Sequence, residues 1–413
     1  MTAAVTLLLC STWFVTLHPE LAQGADSYRR QVSFEFNPGR NTSDNDPSPV
    51  VPNVLHVRAV GRNDTIHYLW STLGAPTVLL VYTSSPRSSL HVNWTQLELR
   101  DPSGAVRIEP AKAIVYSTAV IFSKVFEYND VNDTADLSRT PASSFYPTYW
   151  LEDFTWDDVN ATLNRSRLTA QLRGRNATGQ LFGNGSITFR IAAFEDSGRD
   201  SFLPHLLHTA NSSKLEFVID GVEPRGNQSR FALELIVLEA EGVQRELRVC
   251  HTIDDEYTPS IFQMDKLVAK VRNESGVTSF LQWKPVAYSS PQAARTNSVA
   301  TQHYGPRLGR NQSLPASSIA YAFFGPVLHG GSRVTAMNIS FGSPEGEPYD
   351  TSRYISWSAL IGYGEAPEDG FSGMVIAIMA VGLGLPVLLL LLGGITVSII
   401  HRRRRSSNYQ SVN

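Results

Sequence analysis

Between Met374 and Ile400 the chain runs for 27 residues without a charged side chain, and His401-Arg402-Arg403-Arg404-Arg405 follows at once. A bilayer core takes about 20 apolar residues at a rise of about 1.5 Å each. The run therefore predicts a transmembrane helix over 373–400. Basic residues stay on the cytosolic side of a membrane, so Arg402, Arg403, Arg404 and Arg405 assign the short tail, 401–413, to the cytosol. At the other end, Ala3 to Leu17 is mostly apolar, and Ala22 and Gly24 are small residues spaced as in a signal-peptidase site. Residues 1–24 read as a secretory signal peptide, although no Lys or Arg precedes Arg29. Signal plus span predicts a type I single-pass protein with a lumenal N-terminus.

These ends rearrange the charge. The whole chain carries −3, but removing Glu20 and the four tail arginines leaves 31 basic and 37 acidic residues, a charge of −6. Such an ectodomain is unsuited to nucleic acid or other polyanions. Of two cysteines, Cys10 lies in the signal, so the mature chain keeps Cys250 alone and no internal disulfide can form. An odd thiol suggests an intermolecular bridge or a buried, inert cysteine, and Leu247, Val249 and Ile253 around it favour the buried one, in a strand. Sugar is the other candidate for protection. Asn41, Asn63, Asn93, Asn132, Asn160, Asn164, Asn176, Asn184, Asn211, Asn227, Asn273, Asn311 and Asn338 each begin N-x-[ST] without proline, 13 of the 18 ectodomain asparagines. Glycans so dense cannot lie over a core, so these asparagines are expected on exposed loops or strand edges, where sugar obstructs proteases.

The ectodomain reads as mainly β. Apolar runs such as Val54–Val60, Thr77–Tyr82, Ile187–Phe194 and Phe231–Leu238 are strand-like, with period two in Leu233-Glu234-Leu235 and turn residues between them. No 15-residue helical stripe occurs outside the span. The pattern predicts a β-sandwich or two, with halves over 25–200 and 201–345, a juxtamembrane stalk over 346–372, and the C-terminal transmembrane helix.

Signatures of catalysis are absent: there is no G-x-S-x-G elbow, H-E-x-x-H pair or phosphate loop. His205 and His208 could share a helical face, but a zinc site wants three or four ligands. Asp130-x-Asn132 starts like a calcium loop and then lacks its glycine and terminal glutamate. Cys250 and His251 would point to opposite faces of a strand. Glu152, Asp153, Asp157 and Asp158 flank Phe154 and Trp156 as a surface loop would, or as a glycosidase carboxylate pair would. No enzymatic activity, cofactor or metal is expected. The competing readings are a membrane-anchored lysosomal hydrolase and a cell-surface or endosomal receptor.

In the tail, Tyr409-Gln410-Ser411-Val412 has the form Tyr-x-x-apolar, which an adaptor can bind in extended form. It lies close to the membrane, as in lysosomal membrane proteins, although Asn408 precedes it where those often have Gly. Within the span, Ala377, Ala380 and Gly384 recur at i, i+3 and i+7, a small-residue face suited to packing against another helix. That helix could belong to a partner or to a second copy in a homodimer.

With its signal peptide, sequon-crowded lumenal region, single span and the ending HRRRRSSNYQSVN, the chain resembles the glycosylated lysosomal membrane protein family over its full length. The resemblance implies a non-enzymatic accessory subunit. Its partner would be a multi-pass lysosomal transporter of the major facilitator superfamily that exports dipeptides, shielded from lumenal proteolysis and held in lysosomes. A clathrin adaptor is the expected partner of the tail.

Overall fold

The computed structural model describes residues 28–40, 53–176, 182, 185–239, 242–251, 261–271, 276–308, 318–325, 333–344, 346–368 and 373–407. The signal segment lies outside them. The chain forms two compact units, one of residues 1–250 and 263–367, the other of 251–262 and 368–413.

The larger unit is built almost wholly of antiparallel strands. In its first sheet, Gln31–Phe36, Val54–Val60, Thr65–Ser71, Thr77–Thr83, Ile114–Asn129, Ser229–Glu239, Arg333–Phe341 and Ser298–Leu308 pair in that order. Tyr149–Trp150 adds to the far half of Ile114–Asn129. In the second sheet the order is Phe154–Trp156, Thr169–Asn176, Ser186–Ala193, Ser212–Asp220, Tyr354–Tyr363, Ser279–Trp283 and Gln263–Val271. Val286–Tyr288 pairs with a strand of each sheet and links them.

Period-two side chains meet between the sheets. Phe122, Leu233, Leu235 and Phe341 from the first face Phe189, Leu215, Phe217 and Trp357 from the second. Phe122 and Phe189 lie 4.9 Å apart, and Phe217 and Phe341 5.8 Å apart, within the range for favourable ring pairs. The other face of the first sheet is capped in part. Ile121, Ile236 and Leu238 pack there beneath the hairpin of Ser89–Val92 and Val106–Glu109 and the short helix Ile319–Phe324. Covered on both sides, Ser229–Glu239 is buried along its whole length.

Three expectations change. The division at 200/201 separates strands that pair with one another, Ile114–Asn129 with Ser229–Glu239 and Ser186–Ala193 with Ser212–Asp220. The two halves therefore share one pair of sheets and one core. The expected stalk is also largely structural, because Tyr354–Tyr363 is a central, buried strand of the second sheet. Its run YISWSALIGY is apolar enough to need covering, and only its flanks are rich in Gly, Pro, Ser and acids. Finally, Cys250 is half-buried rather than enclosed, packing only at the margin of a small cluster with Leu206 and Met264.

Candidate functional site

The sequon asparagines are the first candidate surface. Asn63, Asn93, Asn132, Asn160 and Asn227 are exposed and lie in turns or at the starts of short helices. Asn93 caps the helix Trp94–Leu97, its side-chain oxygen accepting from the Gln96 amide at 3.1 Å. Asn164, Asn176, Asn211 and Asn338 are half-buried. The Asn164 oxygen accepts from the amides of Ser166 and Arg167, closing a tight turn. The Asn211 oxygen accepts from Arg30 at 2.7 Å. At Asn164 and Asn211 the engaged atom is the oxygen, whereas a sugar would attach at the amide nitrogen; the Asn93 nitrogen also donates to Gln96 Oε1 at 3.5 Å. Asn338 departs from the expectation of loops and edges. It is in mid-strand, opposite Glu234 on one side and Tyr304 on the other. Asn41, Asn184, Asn273 and Asn311 lie outside the described residues.

Buried charge is the second feature, and it tells what the domain uses in place of disulfides. Four arginines reach carboxylates, three of them across elements distant in sequence. Arg30 grips Asp64 through both terminal nitrogens, at 2.9 and 2.7 Å. Arg225 pairs with Glu127 at 3.2 Å, and Glu127 also accepts from Tyr149, Ser229 and the Arg225 amide. Arg230 bonds Asp130 at 2.8 Å and the neighbouring Asp133. Arg245 pairs with Glu239, whose carboxylate is completed by Tyr116 and Thr118. Burial alone would raise the Asp64 pKa, but the Arg30 contacts outweigh it and hold the carboxyl below its usual range. Asp130 accepts from the amide of Ala135, so the apparent calcium-loop start is an arginine-clamped turn.

A buried histidine pair, which no sequence motif marks, joins two neighbouring strands of the first sheet. His56 Nε2 and His67 Nδ1 are 2.9 Å apart with the rings stacked, and His67 Nε2 reaches Ser88 Oγ at 2.8 Å. Burial, with Arg58 nearby, lowers their pKa values to about 3 and about 2. Only a count of polar residues inside the apolar runs VLHVRAV and TIHYLWS hinted at it.

The suspected catalytic groups are dispersed. His205 sits in a turn, its Nδ1 on the Asp200 carbonyl oxygen. His208 stacks on Phe194 at 3.6 Å, and burial lowers its pKa. Glu152, Asp153, Asp157 and Asp158 are exposed while Phe154 turns inward. Cys250 and His251 differ in exposure, as adjacent strand residues should. Among the described residues, no three His, Cys, Asp or Glu side chains converge as metal ligands would.

In the second unit, Gly373–Ser407 is one helix, with Pro386 inside it, whose residues 373–405 have length and hydropathy to cross a membrane. Ala377, Ala380 and Gly384 lie on one stripe of it. Arg402, Arg403, Arg404 and Arg405 occupy its C-terminal turns, where cations also suit the helix dipole. Tyr409, Gln410, Ser411 and Val412 lie outside the described residues.

The family model for the glycosylated lysosomal membrane protein matches residues 53–405, through both sheets and the span. The chain belongs to this family. It is 51% identical over 386 residues to glycosylated lysosomal membrane protein A of Xenopus laevis, with 93% of each chain covered. The Danio rerio member is 41% identical over 413 residues, 98% of each chain. The Homo sapiens member is 39% identical over 386 residues, 93% of this chain and 91% of that one. The protein is thus a single-pass lysosomal membrane glycoprotein, and its family is described as a membrane glycoprotein with no catalytic activity in its name.

Proposed function

We propose that the protein is a non-enzymatic accessory subunit of a multi-pass lysosomal transporter of the major facilitator superfamily, exporting dipeptides. Its lumenal domain shields the transporter from proteases, and Tyr409, Gln410, Ser411 and Val412 engage a clathrin adaptor that keeps the pair in lysosomes. One observation carries the reading: a large, internally clamped lumenal domain with sugar acceptors on its turns is joined to a single helix bearing a small-residue stripe, Ala377, Ala380 and Gly384. Hydrophobicity offers no gain between helices in lipid, so small residues there serve close packing.

Capture of the full-length protein from lysosomal membranes in mild detergent should co-purify such a transporter, and its loss should shorten the transporter's half-life. An unchanged half-life would overturn the proposal. So would turnover of a glycan or peptide by the purified lumenal domain.

A further inference from the structure

The outer face of the first sheet is capped over only part of its area. Beyond the cap, registration puts one row of side chains across five strands: Tyr304, Asn338, Glu234, Lys124 and Trp150, each directly opposite the next. Directly opposed residues of antiparallel strands share a face, and the contacts agree. Lys124 Nζ lies 3.1 Å from the Glu234 carboxylate, 4.7 Å from the centre of the Trp150 ring and 5.2 Å from that of Phe126. A bulge at Glu234/Leu235 makes this possible, since the extra residue, Ser123, also donates to Glu234 at 2.7 Å. Trp150 is 45% exposed at the end of the row, a large indole left open to solvent.

We infer that Asn338 carries a glycan that lies down along this row and stacks on Trp150, instead of projecting into the lumen like sugars on the turns. Asn338 begins a sequon with Ser340, and its buried Oδ1 has no hydrogen-bond partner in the protein. Strands on both sides confine the side chain, so the first sugar must leave along the open face. Trp150 is three strands away, about 14 Å at about 4.8 Å per strand, a span of a few sugar rings. The intervening Glu234 and Lys124 offer a charged acceptor and donor to hydroxyl and acetamide groups, and an indole face suits the C–H-rich face of a pyranose. Sugar would cover an aromatic patch that otherwise invites association. The inference is independent of any transporter partner.

The test is site-resolved glycopeptide mass spectrometry on the full-length protein from a secreting cell, paired with timed enzymatic deglycosylation of the native protein. Asn338 should be occupied, retain oligomannose sugar, and be released several-fold more slowly than Asn63. Trp150→Ala should convert it to processed sugar and bring its release to the rate at Asn63, while Trp150→Tyr, which keeps a ring, should preserve protection. Far-ultraviolet circular dichroism and thermal melting identify a variant that has failed to fold. An empty Asn338, processing and release like Asn63 in the parent, or no change in Trp150→Ala would each overturn the inference.

Discussion

Replacing His67 by Gln tests how the domain responds to acid. His56 and His67 are buried and share a hydrogen bond at 2.9 Å. That bond needs one proton between two neutral rings; a second proton on the accepting ring would set donor against donor, and one on the donating ring would leave a buried charge. Their folded pKa values, about 3 and about 2, lie below the unfolded value of about 6.5. The unfolded chain therefore binds more protons than the fold in the window between. Stability from this pair is full above about pH 6.5 and declines as pH falls toward the folded values. At about pH 5 each ring costs about 1.5 × 1.36, or about 2 kcal/mol, and the pair about 4 kcal/mol. Glutamine can still bond His56 and Ser88 but does not titrate. Urea unfolding, followed by the fluorescence of buried tryptophans such as Trp70, should show His67→Gln destabilised at about pH 7.5. The deficit should shrink by about 2 kcal/mol at about pH 5. An equal deficit at both pH values would refute the neutral-pair reasoning.

Other substitutions probe other parts of the structure. Arg245→Met strands Glu239 in the interior with only hydroxyl partners and should cost about 3–5 kcal/mol in the same unfolding assay. Ile361→Ala, in the strand expected to be stalk, removes a buried core side chain and should cost about 2–5 kcal/mol. Glu365→Ala, just beyond it and exposed, should stay within about 0.5 kcal/mol. Gly384→Leu meets nothing within 4 Å in the chain itself, so it should leave expression unchanged and weaken co-purification of the transporter. Tyr409→Ala should move the protein to the cell surface, read by surface biotinylation.

The span and the β content were legible because each rests on a local pattern: uninterrupted hydropathy over Met374–Ile400, and period two in segments such as Thr169–Asn176. Pairing was not legible, because antiparallel partners here are far apart. Ser212–Asp220 finds Tyr354–Tyr363, and Ile114–Asn129 finds Ser229–Glu239. The polar, Gly-containing stretch near residue 200 marks a loop between two strands of one sheet, Ser186–Ala193 and Ser212–Asp220, rather than a boundary. Averaging composition over 346–372 hid a ten-residue strand between two polar flanks. Leu233-Glu234-Leu235 correctly placed Glu234 on the face opposite the leucines, yet alternation could not show that Lys124, Trp150 and Asn338 share that face with it.

The choice of cation now has a physical reason. Of 35 basic residues, 29 are arginine and six are lysine. Arginine stays charged at any accessible pH and grips a carboxylate with two nitrogens, as Arg30 does with Asp64. Because the folded pKa of Asp64 is lowered, its contribution is present above the unfolded carboxylate value of about 3.9 and is lost only as pH falls through the folded one. It therefore survives in an acidic lysosome. The His56–His67 pair has the same sign but titrates in a higher window, losing stability over the interval that separates the secretory pathway from the lysosome. A domain without internal disulfides that resides in acid must offset that loss, and clamps such as Arg30–Asp64 are insensitive over the same interval. His67→Gln placed in an Arg30→Lys background should separate the two effects, since the histidine change alters the pH slope between about pH 7.5 and 5 and the arginine change lowers stability evenly across that interval.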